Sequence, residues 1–350
     1  MSRILLIFSL FASILFSACK NDIEINAPYK DVVVVYGFLD QNQDTQFVRI
    51  EKTYQNSTQV GVHVGGSNAD SLNFDSLSVQ LIDQTDTWKK YPMKRAYTYV
   101  KDSGYFTTVS AIYYAADSIP QGATIPIPHA DNTRNIPRDD SRDYAYRLEI
   151  THPSTGATFS AKANIVHDAK QNYSGSILVK YDSTSNFPYR FYSAKFGYLY
   201  DLVIRFHYLE SNADDSSQYQ ARYVDYVFQS NYPTIGYQTA SVSFKVPSIT
   251  FILGLKHLFD KVTPLYPNVK RKAIRPEYVF YGGSKEFSTL LDITRTDPSI
   301  VSKRPDYNIN IEPRDASLGI FSSRNSVVHS NLYFAAESFK TFADYLPYFE

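Results

Sequence analysis

Period-two alternation marks the first half of the chain. Leu77, Val79 and Leu81 alternate with Ser78 and Gln80, and Tyr144, Tyr146, Leu148 and Ile150 alternate with Ala145, Arg147 and Glu149. Successive strand side chains point to opposite faces, so this spacing predicts strands with one buried face. Residues 31–39, DVVVVYGFL, form a continuous β-branched run, which suits a central strand covered on both sides. Segments 46–52, 88–100, 105–110 and 157–165 are further strand candidates, separated by turn-rich stretches at 40–44, 65–70, 102–104 and 153–156. Short strands in that rhythm predict an Ig-like β-sandwich over residues 31–168, with a long Pro-rich surface loop at 120–143.

The second half reads differently. Residues 175–181 open it, and an aromatic stretch at 189–210, an acidic turn at 211–217 and a returning run at 219–232 predict a long hairpin. Phe251, Ile252, Leu255, Leu258, Phe259 and Val262 then recur at the spacing of one helical face, which Pro264 and Pro267 stop. Phe339, Phe342, Ala343 and Leu346 form a similar stripe before Pro347. Both are expected to be core-facing helices on a sheet, with a partner groove as the alternative. The protein is therefore expected to be mainly β, with residues 169–350 a β-rich (α+β) domain carrying one or two short amphipathic helices. No repeat of fixed period occurs.

The N-terminus changes the picture. Residues 1–19 read MSRILLIFSLFASILFSAC: one positive charge at Arg3, an apolar run, then Ser17 and Ala18 before Cys19. This is the pattern of a signal peptide over residues 1–18, too short for a membrane span. The small residues before the cysteine match what bacterial lipoprotein signal peptidase requires, although Phe16 stands where leucine is usual. Cys19 is the single cysteine of the chain. A lone thiol in an oxidising compartment has no disulfide partner, so lipidation of Cys19 is expected, with the acyl chains holding the protein to a membrane. The alternative is an ordinary secretory signal that happens to contain a cysteine. Residues 19–30 then form a tether, and its start at Lys20, Asn21, Asp22, Ile23 and Glu24 resembles the signals of Bacteroidota lipoproteins displayed at the cell surface. The outer membrane is the expected location, and because Asn21 interrupts the expected acidic pair its surface is favoured only slightly over its periplasmic face.

Composition excludes some partners. Lys+Arg and Asp+Glu both number 35, and the longest basic run is Lys270, Arg271 and Lys272. Nucleic acid binding needs a concentrated basic face, so no nucleic acid partner is expected. The 30 Tyr and 23 Phe against a single Trp point first to strands with one buried and one wet face, and only second to sugar stacking, for which Trp88 is the sole indole.

Candidate chemistry is sparse. His63, His129, His152, His167, His207, His257 and His329 are scattered without metal-ligand spacing, so neither a metal site nor a cofactor is expected. Asp139, Asp140 and Asp143, or Asp214 and Asp215, could offer oxygens to Ca²⁺, but neither group has EF-hand spacing. No GxSxG occurs; a dispersed triad would draw first on His129 and Asp131. Gly282 with Gly283 reads as a turn. Asp70-Ser71-Leu72 matches an Asp-Ser/Thr-aliphatic O-glycosylation pattern, which makes Ser71 a possible modification site.

Four pieces then combine: IEINAPY at 23–29, VVVVYGFLDQNQDTQFVRI at 32–50, YRLEITHPSTGATFSA at 146–161 and ASLGIFSS at 316–323. In this order the chain resembles a family of Bacteroidota outer-membrane lipoproteins of unknown function, often encoded beside TonB-dependent receptors. The resemblance implies architecture, location and a possible receptor partner, and none of its pieces is catalytic. The expected function is a non-enzymatic outer-membrane or surface lipoprotein, binding a ligand or serving as an accessory to a TonB-dependent transporter. A structural or adhesive envelope protein is the alternative, and an anchored hydrolase the third reading.

Overall fold

The computed structural model describes residues 32–43, 45–53, 73–85, 89–98, 110–115, 143–215, 217–237, 241–295 and 307–350. The fold is mainly β, at 53% strand against 15% helix. The first half supplies β1 (Val33–Asp40), β2 (Gln46–Lys52), β3 (Ser78–Asp83), β4 (Lys90–Pro92), β5 (Lys94–Thr98), β6 (Ser110–Ala115), β7 (Ala145–Thr151) and β8 (Thr158–Asn164). The second supplies β9 (Lys170–Gln171), β10 (Gly175–Ile177), β11 (Asn186–Tyr192), β12 (Leu199–Asn212), β13 (Tyr219–Pro233), β14 (Val242–Pro247), α1 (Ser248–Phe259), β15 (Val269–Gly283), α2 (Lys285–Arg295), β16 (Ser317–His329), β17 (Leu332–Phe334) and α3 (Ala336–Tyr345).

One eight-stranded sheet runs through both halves in the order β13-β12-β15-β16-β1-β2-β6-β5. Its hinge is the parallel pairing of β1 with β16, in register from Val33↔Ser317 to Asp40↔Arg324. The apolar side chains nevertheless divide. One core gathers Val35, Val48, Leu81, Tyr113, Leu148 and Phe159, between the eight-stranded sheet and a second sheet ordered β4-β3-β7-β8. The other gathers Phe187, Tyr189, Phe206, Phe251, Tyr278, Phe280 and Phe342. The first core draws its residues from 33–165 together with Ile311 and Phe321, and the second from 169–349. The change of core falls between residues 165 and 169, while one sheet joins the two halves.

Local periodicity reads several elements correctly. Val79, Leu81, Leu148 and Ile150 are buried in the first core, β12 and β13 pair antiparallel as a long hairpin, and α1 buries Phe251, Ile252, Leu255 and Phe259. Other readings need correction. The run at 31–39 is central, but Tyr36 stays 45% exposed, so β1 buries one face fully and not both. The segment at 88–100 is not one strand: it changes sheets at the buried Met93, with β4 in one sheet and β5 in the other. The stretch at 189–210 also breaks, because residues 193–198 turn, with Phe196 at φ 61. β11 therefore joins β14 and β9 in a separate three-stranded sheet.

Tyrosine also departs from the half-wet expectation. Tyr146, Tyr189, Tyr200 and Tyr278 are wholly buried. Three of their hydroxyls reach backbone groups: Tyr189 donates to the Val279 carbonyl at 3.2 Å, Tyr278 donates to that of Pro188, and Tyr200 accepts from the Ala194 amide at 2.8 Å. Burial pushes all four phenols above their ordinary 10.0. A phenol raised in the folded state stabilises the fold fully below pH 10.0, and that contribution is lost as pH rises towards the folded values. Phenolate absorbance should accordingly rise in two phases on alkaline titration, the later one coinciding with loss of near-ultraviolet circular dichroism. A single phase with the circular dichroism intact would refute this.

Candidate binding cleft

Three strands and a helix build a candidate site. Leu199, Gly283 and Arg324 lie side by side on β12, β15 and β16, and so do Asp201, Tyr281 and Ser326 two residues along. The outward alternation of β15 presents Tyr281 and Gly283, while Gly282 faces Tyr200 and Val166 on the inner side. At Ser284 the chain turns into α2. Its amide donates to the Ser323 carbonyl at 3.1 Å, and its hydroxyl meets that of Ser322 at 2.7 Å. That turn folds Phe287 back over the sheet. Its ring fills the space beside Gly283, where a Cβ would lie 2.4 Å from Cδ1, and meets Phe38 edge-on at 5.3 Å.

The result is a cleft of 570 Å³ between the outer face of the sheet and α2. Phe287 and Leu291 form one wall, Tyr281 and Gly283 the floor, and Asp201 with Asn231 and Arg324 with Asp40 the two ends. A volume of this size suits a small organic ligand.

Its charges are placed by hydrogen bonds. Arg324 donates through Nε to Asp40 at 2.9 Å, and Asp40 also accepts from the Asn42 amide at 3.0 Å. Asp201 accepts from the Asn231 amide at 2.7 Å through one oxygen. Asn231 adopts φ 56, a conformation asparagine tolerates better than most side chains. Behind Arg324, the buried Asn325 donates to the His167 carbonyl at 2.9 Å and to Asp168 at 2.7 Å, while Gln41 donates to Asp168 at 2.8 Å. The polar turn after β1 is thereby stitched to the segment joining the two cores, which holds this end of the cleft rigid.

Of the described residues weighed for chemistry in the sequence, Gly282 and Gly283 line the cleft and the acids lie elsewhere. Cys19, Ser71, Trp88, His129, Asp131, Asp139 and Asp140 fall outside the described residues. Asp143 pairs with Lys195 at 2.7 Å. Asp214 accepts from Asn268 at 2.5 Å. Asp215 accepts from the Ser217 hydroxyl at 2.6 Å and amide at 3.0 Å and from Gln218 at 2.9 Å, and these bonds lower its pKa. The Asp215 carboxylate thus organises its own turn, as Asx residues do, while that of Asp214 ties the turn to Asn268. Among the described residues no group of three or more His, Cys, Asp or Glu is placed to hold a metal ion. The basic run does not form one patch: Arg271 is buried against Glu210 at 3.0 Å, and Lys270 pairs with Glu350 at 2.7 Å.

Sequence reading missed Asp201, Tyr281 and Arg324, which sit on three strands brought together only by folding. One local signal was available and misread. Gly282 and Gly283 are the last residues of β15 and not a turn, and their small size admits Tyr200 on one face and Phe287 on the other. The helical stripe of Phe287, Leu290 and Leu291 was also legible, at i, i+3 and i+4.

Of the pieces quoted for the family resemblance, 23–29 lies outside the described residues, and the other three contribute to the first core. 32–50 contains β1 and most of β2, 146–161 contains most of β7 and the start of β8, and 316–323 opens β16, so together they include most of the β1–β16 pairing at the centre of the sheet. Searched against protein-family models and against curated proteins, the chain matches none. Among the described residues no helix is long and apolar enough to cross a membrane.

Proposed function

We propose that the chain is a non-enzymatic lipoprotein, anchored by acyl chains on Cys19 to the outer membrane, that binds a small ligand and works beside a TonB-dependent transporter. The anchor rests on the export pattern and the lone cysteine, and the transporter on the family resemblance. The binding role rests on one observation in the fold. Several ionic groups elsewhere on the sheet are bound to each other, as in Arg205 with Asp225 at 2.8 Å and His207 with Glu277 at 2.7 Å. In the cleft the Nη atoms of Arg324 and the second oxygen of Asp201 have no partner among the described residues, and apolar walls stand between them. Groups left open in a concave, mostly apolar site are what a ligand engages.

An adhesive envelope role is the second reading, favoured by Tyr36, Phe47, Tyr223 and Val227, which are 45–54% exposed on the open sheet face. A pull-down of the protein in gentle detergent, followed by mass spectrometry, separates the two. The leading reading expects a TonB-dependent receptor in the eluate and an acylated Cys19. Recovery of no receptor under conditions that keep known complexes together favours adhesion. Cys19→Ala should leave the precursor uncleaved at that junction and abolish acylation; a variant still cut there and still sedimenting with membranes removes the anchor.

A further inference from the structure

We infer that the cleft takes a short peptide with free termini, about two or three residues long, with its amine at Asp201 and its carboxylate at Arg324. This deepens the binding role proposed above and rests on it. The argument begins with charge. Asp201 offers one unengaged carboxylate oxygen at the β12 end, and Arg324, its side chain 54% exposed, offers an unengaged guanidinium fork at the β16 end. A planar fork receives a carboxylate through two parallel hydrogen bonds. A carboxylate oxygen receives an ammonium. Asp40 does not compete for the ligand's amine, because it is occupied by Arg324 Nε and the Asn42 amide.

Spacing selects length. Asp201 and Arg324 are separated by the whole of β15 and are offset by two residues in register. Two interstrand steps of about 4.8 Å and an offset of two residues at about 3.4 Å each put their Cα atoms roughly 12 Å apart. The two side chains close part of that distance, but Arg324 leans away from Asp201, towards Asp40 on β1. A single amino acid carries both charges on one carbon and spans too little. An extended chain of two or three residues covers roughly 7–11 Å. Between the ends, Tyr281, Phe287 and Leu291 offer ring and aliphatic surface, so apolar side chains are preferred over charged ones.

Calorimetric titration of the full-length chain in detergent tests this with trileucine, its N-acetyl and C-amide derivatives, and free leucine. Trileucine should bind, each blocked form should bind at least about tenfold more weakly, and leucine more weakly still. In Asp201→Asn the penalty for acetylation should disappear, and in Arg324→Gln the penalty for amidation, with each variant's thermal transition unchanged as proof of folding. Blocked peptides binding as well as the free one, or penalties that survive in the variants, overturn the inference. A solvatochromic apolar dye distinguishes the two levels of failure. If the dye occupies the wild-type cleft but not that of Leu291→Asp, and no peptide displaces it, the peptide is wrong and the binding role stands. If neither dye nor peptide binds, both fall.

Discussion

Glu210→Ala should destabilise the protein by about 3–5 kcal/mol, because it strands a charge in the second core. Glu210 and Arg271 face each other on β12 and β15, and both side chains are fully buried. Arg271 Nε donates to Glu210 Oε2 at 3.0 Å, while Oε1 accepts from Arg222 at 3.1 Å and from the Leu265 amide at 2.6 Å. The guanidinium carbon lies 5.1 Å from the ring centre of Phe259, 5.3 Å from that of Tyr348 and 5.7 Å from that of Tyr208. Aromatic faces favour a cation but cannot replace its counter-ion. The pair also orders the C-terminus, since the Arg271 amide donates to the Tyr348 carbonyl at 2.7 Å and the Glu350 amide to that of Arg271 at 3.1 Å. Urea unfolding should show a lower midpoint at unchanged slope. The double change Glu210→Leu with Arg271→Met should recover most of the loss, because apolar residues of similar size remove both charges together. A single variant within about 1 kcal/mol of wild type would show that water reaches the pair.

Gly319→Ala should cost more than about 4 kcal/mol, enough to prevent soluble accumulation. Gly319 sits at φ 107 on β16, opposite Val35 on β1, and a Cβ there would stand 1.9 Å from the Val35 carbonyl oxygen. The obstacle is backbone in the middle of the parallel pair, so no side chain can move aside. Either β1 separates from β16, which parts the two halves of the sheet, or the strand shifts register. Gly156→Ala is the comparator: it also has positive φ, at 71, but nothing lies within 4 Å, so only strain of about 1–2 kcal/mol is expected. Equal losses in the two variants, read from thermal unfolding and soluble yield, would show that contact with Val35 does not matter.

These two sites also mark where sequence reading ends. Arg271 was read as part of a basic run, because sequence gives its neighbours along the chain and not the aromatic ring of contacts across it. ASLGIFSS was visible as a segment, but nothing local says that its glycine touches a strand lying far back near the start of the chain. Tyr189, Tyr200 and Tyr278 suit half-wet strands by residue type, yet Tyr189 packs against Phe228, Tyr278 and Phe280, and Tyr200 against Phe191. Whether a phenol is buried depends on what lies over it.

Alternation in β3 and β7 and the helical stripe of α1 required only neighbours within a few residues, and by itself the sequence therefore determined that these segments would be strands and a helix and which of their faces would be apolar. Only the tertiary structure decided that a single sheet joins the two halves of the chain through β1 and β16, that Glu210 meets Arg271, and that Asp201, Tyr281 and Arg324 share a cleft. Those outcomes depend on register between distant strands, set by loop closure and by the fit of side chains across the interface, for which no spacing along the chain is a signal.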